Sequence, residues 1–259
     1  MKAFIYIIYL FTFSLFAQES IETTLLKSTE LNAESLISID NFGTVYYVNN
    51  DVFYKKNESG IITYNNLQLG ELNTVNAFNP LKINLFYKDF NTIIVLDNRL
   101  AEISKMDFNT IQPYKNISHV STGFDNTIWV FNMDNQQLEL FDYKNKTTRA
   151  QSLPIQSNVL DLKSNYNFCW LLTENYLYKY NYFGSLISKI KNDGFTKFYV
   201  NSGDVILQKS NSLYLLHKAS ENLSPVNVPN LLINQFFVTN ETLYIYDSKI
   251  LFEYQIKIE

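Results

Sequence analysis

The sequence predicts an all-β fold assembled from repeated units of about 40 residues each, and three observations predict it. Short runs of β-branched and aromatic residues recur along the chain, separated by clusters of Asn, Asp, Ser and Gly. Apolar spacing of the helical kind is nearly absent. The clearest run type returns at even intervals.

That run occupies residues 44–48, 82–86, 127–131, 168–172, 204–208 and 242–246. Its second residues are spaced by about 38, 45, 41, 36 and 38 positions, near the 40–45 residues of a four-stranded propeller blade. A polar turn and a second strand-like run follow each time, at 51–55, 92–97, 137–143, 176–180, 212–217 and 250–254. Several of these alternate apolar with polar residues, as in Leu138-Glu139-Leu140-Phe141-Asp142, the pattern of a strand with one wet face. A further strand precedes each marker, at 36–39, 74–78, 117–121, 159–163, 197–200 and 235–238.

Fourth strands are drawn at 60–64, 101–106, 148–153, 185–190 and 223–228, which leaves the last repeat one short. A spare β-type segment, Glu22-Thr23-Thr24-Leu25-Leu26-Lys27, precedes the first repeat. Closing a ring with strands from both termini removes the exposed edges of an open sheet. The expectation is therefore a six-bladed β-propeller whose last blade takes its outer strand from residues near 23–28. Glycine is scarce for so many turns, 7 in all, and Asn is expected to replace it at Asn49-Asn50, Asn132, Asn135, Asn175, Asn201 and Asn211.

The first residues are read apart from the fold. Met1-Lys2 precedes an apolar run over residues 3–16 that ends at Ala17 before Gln18-Glu19-Ser20. That is the layout of a secretory signal peptide, and the run is shorter than the roughly 20 residues a membrane-spanning helix needs. An uncleaved anchor is the competing reading. Residues 1–17 are assigned to the signal and 18–259 to a single propeller domain, in the periplasm or at the cell surface.

Composition narrows the function classes. A hydrophobic share of 46%, with 20 Phe and 19 Tyr, supplies a core and excludes disorder. Net charge is −4 and arginine occurs only at Arg99 and Arg149, so no basic stripe marks a nucleic-acid partner. No transmembrane segment is expected after signal removal, and a monomer is expected. Cys169 is the single cysteine, which excludes an internal disulfide; within Phe168-Cys169-Trp170-Leu171-Leu172 it reads as a buried thiol. Trp129 and Trp170 hold matching repeat positions and read as packing between sheets.

The segments Asp40-Asn41-Phe42-Gly43-Thr44-Val45-Tyr46-Tyr47-Val48 and Asp125-Asn126-Thr127-Ile128-Trp129-Val130-Phe131 lead from a polar turn into an aromatic-rich strand. In this the chain resembles secreted six-bladed propellers, NHL-like in the broad sense. The step Phe16-Ala17-Gln18 and the Asn- and Tyr-rich composition resemble exported proteins of Bacteroidota-type bacteria. WD and YWTD signatures are absent. The resemblance implies a fold, and a fold alone does not imply a function.

No catalytic, cofactor-binding or metal-binding residue is assigned. His119 and His217 fall in different repeats without partners at ligand spacing. Lactonase-type propellers hold a central calcium or zinc with Glu, Asn and Asp, and by that resemblance Asp40, Asn79, Asp125 and Asn201 would be the positions to inspect. Asn57, Asn116, Asn145, Asn222 and Asn240 open glycosylation tripeptides, which an Asn-rich chain also produces by composition. Aromatic residues in connections, Tyr87, Phe90, Phe108, Tyr114 and Phe195, are expected on one face, with two open readings, contacts for a partner and residual core packing. The functional expectation is a non-catalytic protein-binding or scaffold propeller engaging another envelope or extracellular protein. The alternatives are a metal-dependent hydrolase or lyase at the channel mouth and a carbohydrate-binding propeller.

Overall fold

A computed structural model describes residues 20–218 and 222–257; the expected signal, residues 1–17, lies outside the described residues. The chain opens with β1 (Ile21–Glu30), then runs through antiparallel meanders. The first is β2 (Ser35–Ile39), β3 (Val45–Asn49), β4 (Val52–Asn57) and β5 (Gly60–Tyr64). The second is β6 (Thr74–Asn76), β7 (Ile83–Tyr87), β8 (Thr92–Leu96) and β9 (Glu102–Asp107). The third is β10 (Ile117–Thr122), β11 (Thr127–Asn132), β12 (Gln137–Asp142) and β13 (Thr147–Gln151). The fourth is β14 (Val159–Ser164), β15 (Phe168–Thr173), β16 (Tyr176–Asn181) and β17 (Leu186–Lys191).

The remaining strands join in one eight-stranded sheet. It contains β18 (Lys197–Asn201), β19 (Asp204–Lys209), β20 (Ser212–Leu216), β21 (Leu223–Asn227), β22 (Gln235–Thr239), β23 (Thr242–Tyr246) and β24 (Ile250–Ile256), with β1 between β21 and β24. β1 runs antiparallel to β24 from Thr23 opposite Ile256 to Glu30 opposite Ile250, so the opening segment does lie beside the last strand. Its first two residues also pair, in parallel, with Val226 and Asn227 of β21. One strand from the start of the chain thus covers two edges that would otherwise be open.

Alternation decides where each side chain goes. The marker strand β7 is buried on both faces. Ile83, Leu85 and Tyr87 pack toward Tyr46 and Phe53 of the first meander, while Phe86 packs with Ile128 and Phe141 of the third. The same division repeats: Trp129 meets Leu162 and Cys169, Trp170 meets Phe198 and Leu207, and Ile206 meets Val238 and Ile245. Phe237 and Tyr246 then pack on Leu36 and Ile39 of the first meander, and the circle closes. Burying such a side chain contributes roughly 1.5–3 kcal/mol, so the interfaces between sheets are the core.

The first strands line the axis side by side, in the succession β6, β10, β14, β18, β22, β2. Side chains stitch these junctions. Ser164 Oγ donates to Ser121 Oγ, Asp161 Oδ2 accepts the Phe198 N–H, Gln235 Oε1 accepts the Leu36 N–H, and Thr239 Oγ1 donates to the Ile39 carbonyl.

The left-handed turn positions depart from expectation. Of the asparagines expected to replace glycine, Asn50 has positive φ; Asn91 and Asn240, outside that set, have it too, and elsewhere the position falls to residues such as Asp125, Gln136, Ser202 and Ser210. Asparagine shapes these turns chiefly through its side-chain oxygen, which takes a backbone N–H two residues on, as at Asn57, Asn66, Asn76 and Asn181.

Candidate interaction surfaces

Antiparallel strands sort the connections onto two faces. First-to-second and third-to-fourth turns share one, here the front; second-to-third turns and the links between sheets share the other, the back.

The five aromatics expected at a contact face belong by sequence to the back, and the structure divides them. Tyr87, Phe108 and Phe195 are buried, which corrects the contact reading for these three in favour of core packing. Tyr87 is the last residue of β7 and alternates inward. Phe108 packs against Phe141 with ring centroids 5.2 Å apart. Phe195 meets Tyr214 edge-on at 5.6 Å, its N–H held by Asn192 Oδ1 at 2.7 Å. Phe108 and Phe195 lie in connections between sheets, and both turn into the core beneath.

Phe90 and Tyr114 do reach solvent, both 48% exposed, on a common support. The Asn91 amide donates to the Lys115 carbonyl at 2.6 Å and its oxygen accepts the Ile117 N–H at 3.1 Å, which ties the turn after Phe90 to the link after Tyr114. Lys115 then reaches inward, its Nζ 2.6 Å from Glu139 Oε2 in a buried ion pair. Burial works to raise the Glu139 carboxyl, but Lys115, Thr148 and Asn132 outweigh it and hold the group below its usual range.

Sequence reasoning missed other apolar residues on the back: Leu67, which is 90% exposed, Leu153, Leu232 and Met133. Their available signal was an isolated apolar residue inside a polar connection, as in Asn66-Leu67-Gln68. The back connections are also acidic. Glu34, Asp51, Glu71, Asp89, Asp134, Glu174 and Asp193 are all exposed there, against exposed Lys88 and Lys249.

The front carries aromatics that the sequence reading left out. Phe42 is 91% exposed, and Phe78, Leu81, Tyr166 and Phe183 are exposed as well. A shared local device presents them: Asp40, Asn76, Asn79 and Asn181 each accept the N–H two residues on, that of Phe42, Phe78, Leu81 and Phe183 respectively. Phe78 and Tyr166, from the second and fourth meanders, meet edge to face at 5.2 Å. Tyr182 bridges Phe124 at 5.5 Å and Phe183 at 4.1 Å. Beneath this arc, Asn76 donates to Ser121 and accepts from Thr122, and Asn84 donates to Thr122.

Two of the positions named for inspection, Asp40 and Asn201, are engaged in holding backbone. Asp40 Oδ1 accepts the Phe42 and Thr44 N–H groups, and Asn201 donates to the Asn240 carbonyl. On the inner strand β10, His119 Nδ1 lies 2.9 Å from Ser118 Oγ. Burial pushes His119 below the ordinary histidine value; Asp161 pulls the other way, and Lys88 and Lys163 add to the push. The Cys169 thiol is fully buried and burial raises it well above its normal range. Among the described residues no three His, Cys, Asp or Glu side chains converge on a metal position.

No protein-family model matches the chain, and no curated protein matches it. Solved structures do. A virginiamycin B lyase from Staphylococcus aureus is similar over 86% of this chain and 80% of its own, at 12% identity and a TM-score of 0.61. The Pan2 WD40 domain of Neurospora crassa is similar over 88% of this chain and 76% of its own, at 11% identity and a TM-score of 0.60. A chain of the mitotic checkpoint complex is similar over 92% of this chain and 87% of its own, at 11% identity and a TM-score of 0.61. With its ring of packed antiparallel sheets, the chain has the β-propeller fold.

Proposed function

We propose that this chain is an exported, non-catalytic binding propeller that holds a basic partner protein against its back face. The eight-stranded sheet is taken as two four-stranded blades sharing an edge at β1, which makes six blades. Export rests on the charged head, apolar run and small residue of residues 1–17.

What carries the reading is the back face, where exposed Leu67, Leu153, Phe90 and Tyr114 stand among exposed carboxylates. Apolar anchors supply contact area, and the surrounding charge selects a partner of opposite sign and speeds its encounter. The Asn91–Lys115–Glu139 linkage favours the same reading, because a preorganised surface loses less entropy on binding. The non-catalytic part is supported by the inner polar groups, Asp161, Ser164 and Gln235, which are engaged in joining neighbouring strands.

The test is capture from envelope extracts with immobilised protein. A stoichiometric basic partner should be retained at low salt, released as salt rises, and lost with the paired changes Asp89→Lys and Asp134→Lys. Retention by that variant, or capture that ignores salt, would remove the reading.

A further inference from the structure

We propose that the front mouth of the ring binds a neutral oligosaccharide, stacked on Phe78 and Tyr166 and hydrogen-bonded by the carboxamides around them. The proposal goes beyond the partner reading, which concerns the opposite face, and three observations carry it.

One is where the two rings meet. Phe78 belongs to the turn between β6 and β7, and Tyr166 to the turn between β14 and β15. Those meanders are not neighbours, since β10 lies between β6 and β14 at the axis. Their rings nevertheless stand 5.2 Å apart, edge to face, and so reach toward each other past the front end of the third meander. Each keeps nearly half of its surface open, at 47% and 46%. Further exposed rings at Phe42 and Phe183 extend the front beyond this pair, which suits a chain of several sugar units.

Another is rigidity. Asn76 Oδ1 accepts the Phe78 N–H at 3.1 Å. Asn165 Oδ1 accepts the N–H groups of Asn167 and Phe168 at 2.9 and 2.8 Å, which fixes the turn that carries Tyr166. Below, Asn76 donates to Ser121 Oγ at 3.1 Å and Ser164 donates to the same oxygen at 2.7 Å, tying three inner strands together. A platform already ordered loses little entropy when a ligand settles on it.

Charge is the last. Among the exposed side chains of the first-to-second turns, those that carry charge are Asp125 and Glu241; Lys82 is half-buried and donates to the Asp125 carbonyl. Exposed Asn41, Asn167 and Asn240 supply carboxamides instead. An anionic ligand would need free cations there, and a basic one finds its carboxylates on the back. A pyranose ring matches what is present. Its C–H face packs on the electron-rich face of an aromatic ring, and its hydroxyls both donate to and accept from carboxamides.

The experiment is calorimetric titration of the full chain with neutral hexasaccharides of the glucan, xylan and mannan types, and with an oligogalacturonate of similar length. At least one neutral sugar should bind saturably and with little dependence on salt. Phe78→Ala and Tyr166→Ala should each weaken it roughly tenfold, while Tyr166→Phe keeps the platform and retains binding. Leu232→Ala, on the back, should leave it unchanged, and unchanged melting of each variant confirms that the ring is intact. No binding of any neutral sugar, or binding indifferent to Phe78→Ala and Tyr166→Ala, would overturn the proposal. So would tighter, salt-sensitive binding of the oligogalacturonate. A dimer in sedimentation that Phe78→Ala dissolves would mean that a second copy covers the mouth, and would also overturn it.

Discussion

The hydroxyl of Tyr246 stands 3.1 Å from the amide nitrogen of Ala33, a residue 213 positions earlier, and also donates toward the carbonyls of Leu31 and Ala33. It locks the link between β1 and β2 against the final meander, where the first and last strands pair. Tyr246→Phe keeps the packing and removes the bonds. The Ala33 N–H is left buried without its acceptor, and unfolding in denaturant should show a loss of about 1–3 kcal/mol.

The Lys115–Glu139 pair supports the link that presents Tyr114. Lys115→Met strands a buried carboxylate and should destabilise by about 3–5 kcal/mol. Lys115→Met combined with Glu139→Leu should recover much of that loss. A double-mutant cycle by chemical denaturation measures both, and equal losses in the single and double variants would contradict the pairing.

Phe108 and Phe90 lie on neighbouring connections with opposite fates. Phe108→Ala empties a fully buried site and should lower stability by about 3–5 kcal/mol, whereas Phe90→Ala should change it by about 1 kcal/mol or less. Thermal melts of the two variants separate core from surface. Partner capture should weaken with Phe90→Ala alone among folded variants of this pair.

His119 gives the fold a pH dependence of defined sign. Its folded value is depressed below the ordinary 6.5, so the unfolded chain takes up a proton more readily than the folded one. Its contribution is fully present above that ordinary value and is lost as pH falls from it toward the depressed folded value. Denaturation midpoints should therefore drop on moderate acidification, and His119→Gln should flatten that part of the profile.

Cys169 should be silent toward thiol reagents in the folded protein and react fully in denaturant, since burial both covers the sulfur and raises its protonation constant. A colorimetric thiol assay with and without denaturant reads this directly.

Most strands were legible in the chain because their signal is local. The run at Thr242–Tyr246 was placed to the residue, and Gly60–Tyr64 likewise. β6 is shorter than its expected span of 74–78, because the Asn76 side chain takes the Phe78 N–H and turns the backbone out of the sheet. The front aromatics were legible too, in the spacing Asp40 to Phe42, Asn76 to Phe78 and Asn181 to Phe183, but that pattern acquires meaning only once those turns are known to share a face.

By itself the sequence determined the strand alternation, the even return of the marker run and the spare strand near the start, since each follows from neighbouring residues and from the need to bury apolar faces. Only the tertiary structure decided that Tyr87, Phe108 and Phe195 are core while Phe90 and Tyr114 are surface. The physical reason is that a connection's exposure depends on which sheet end lies beneath it. Residues as far apart as Ala33 and Tyr246 set that arrangement when the ring closes.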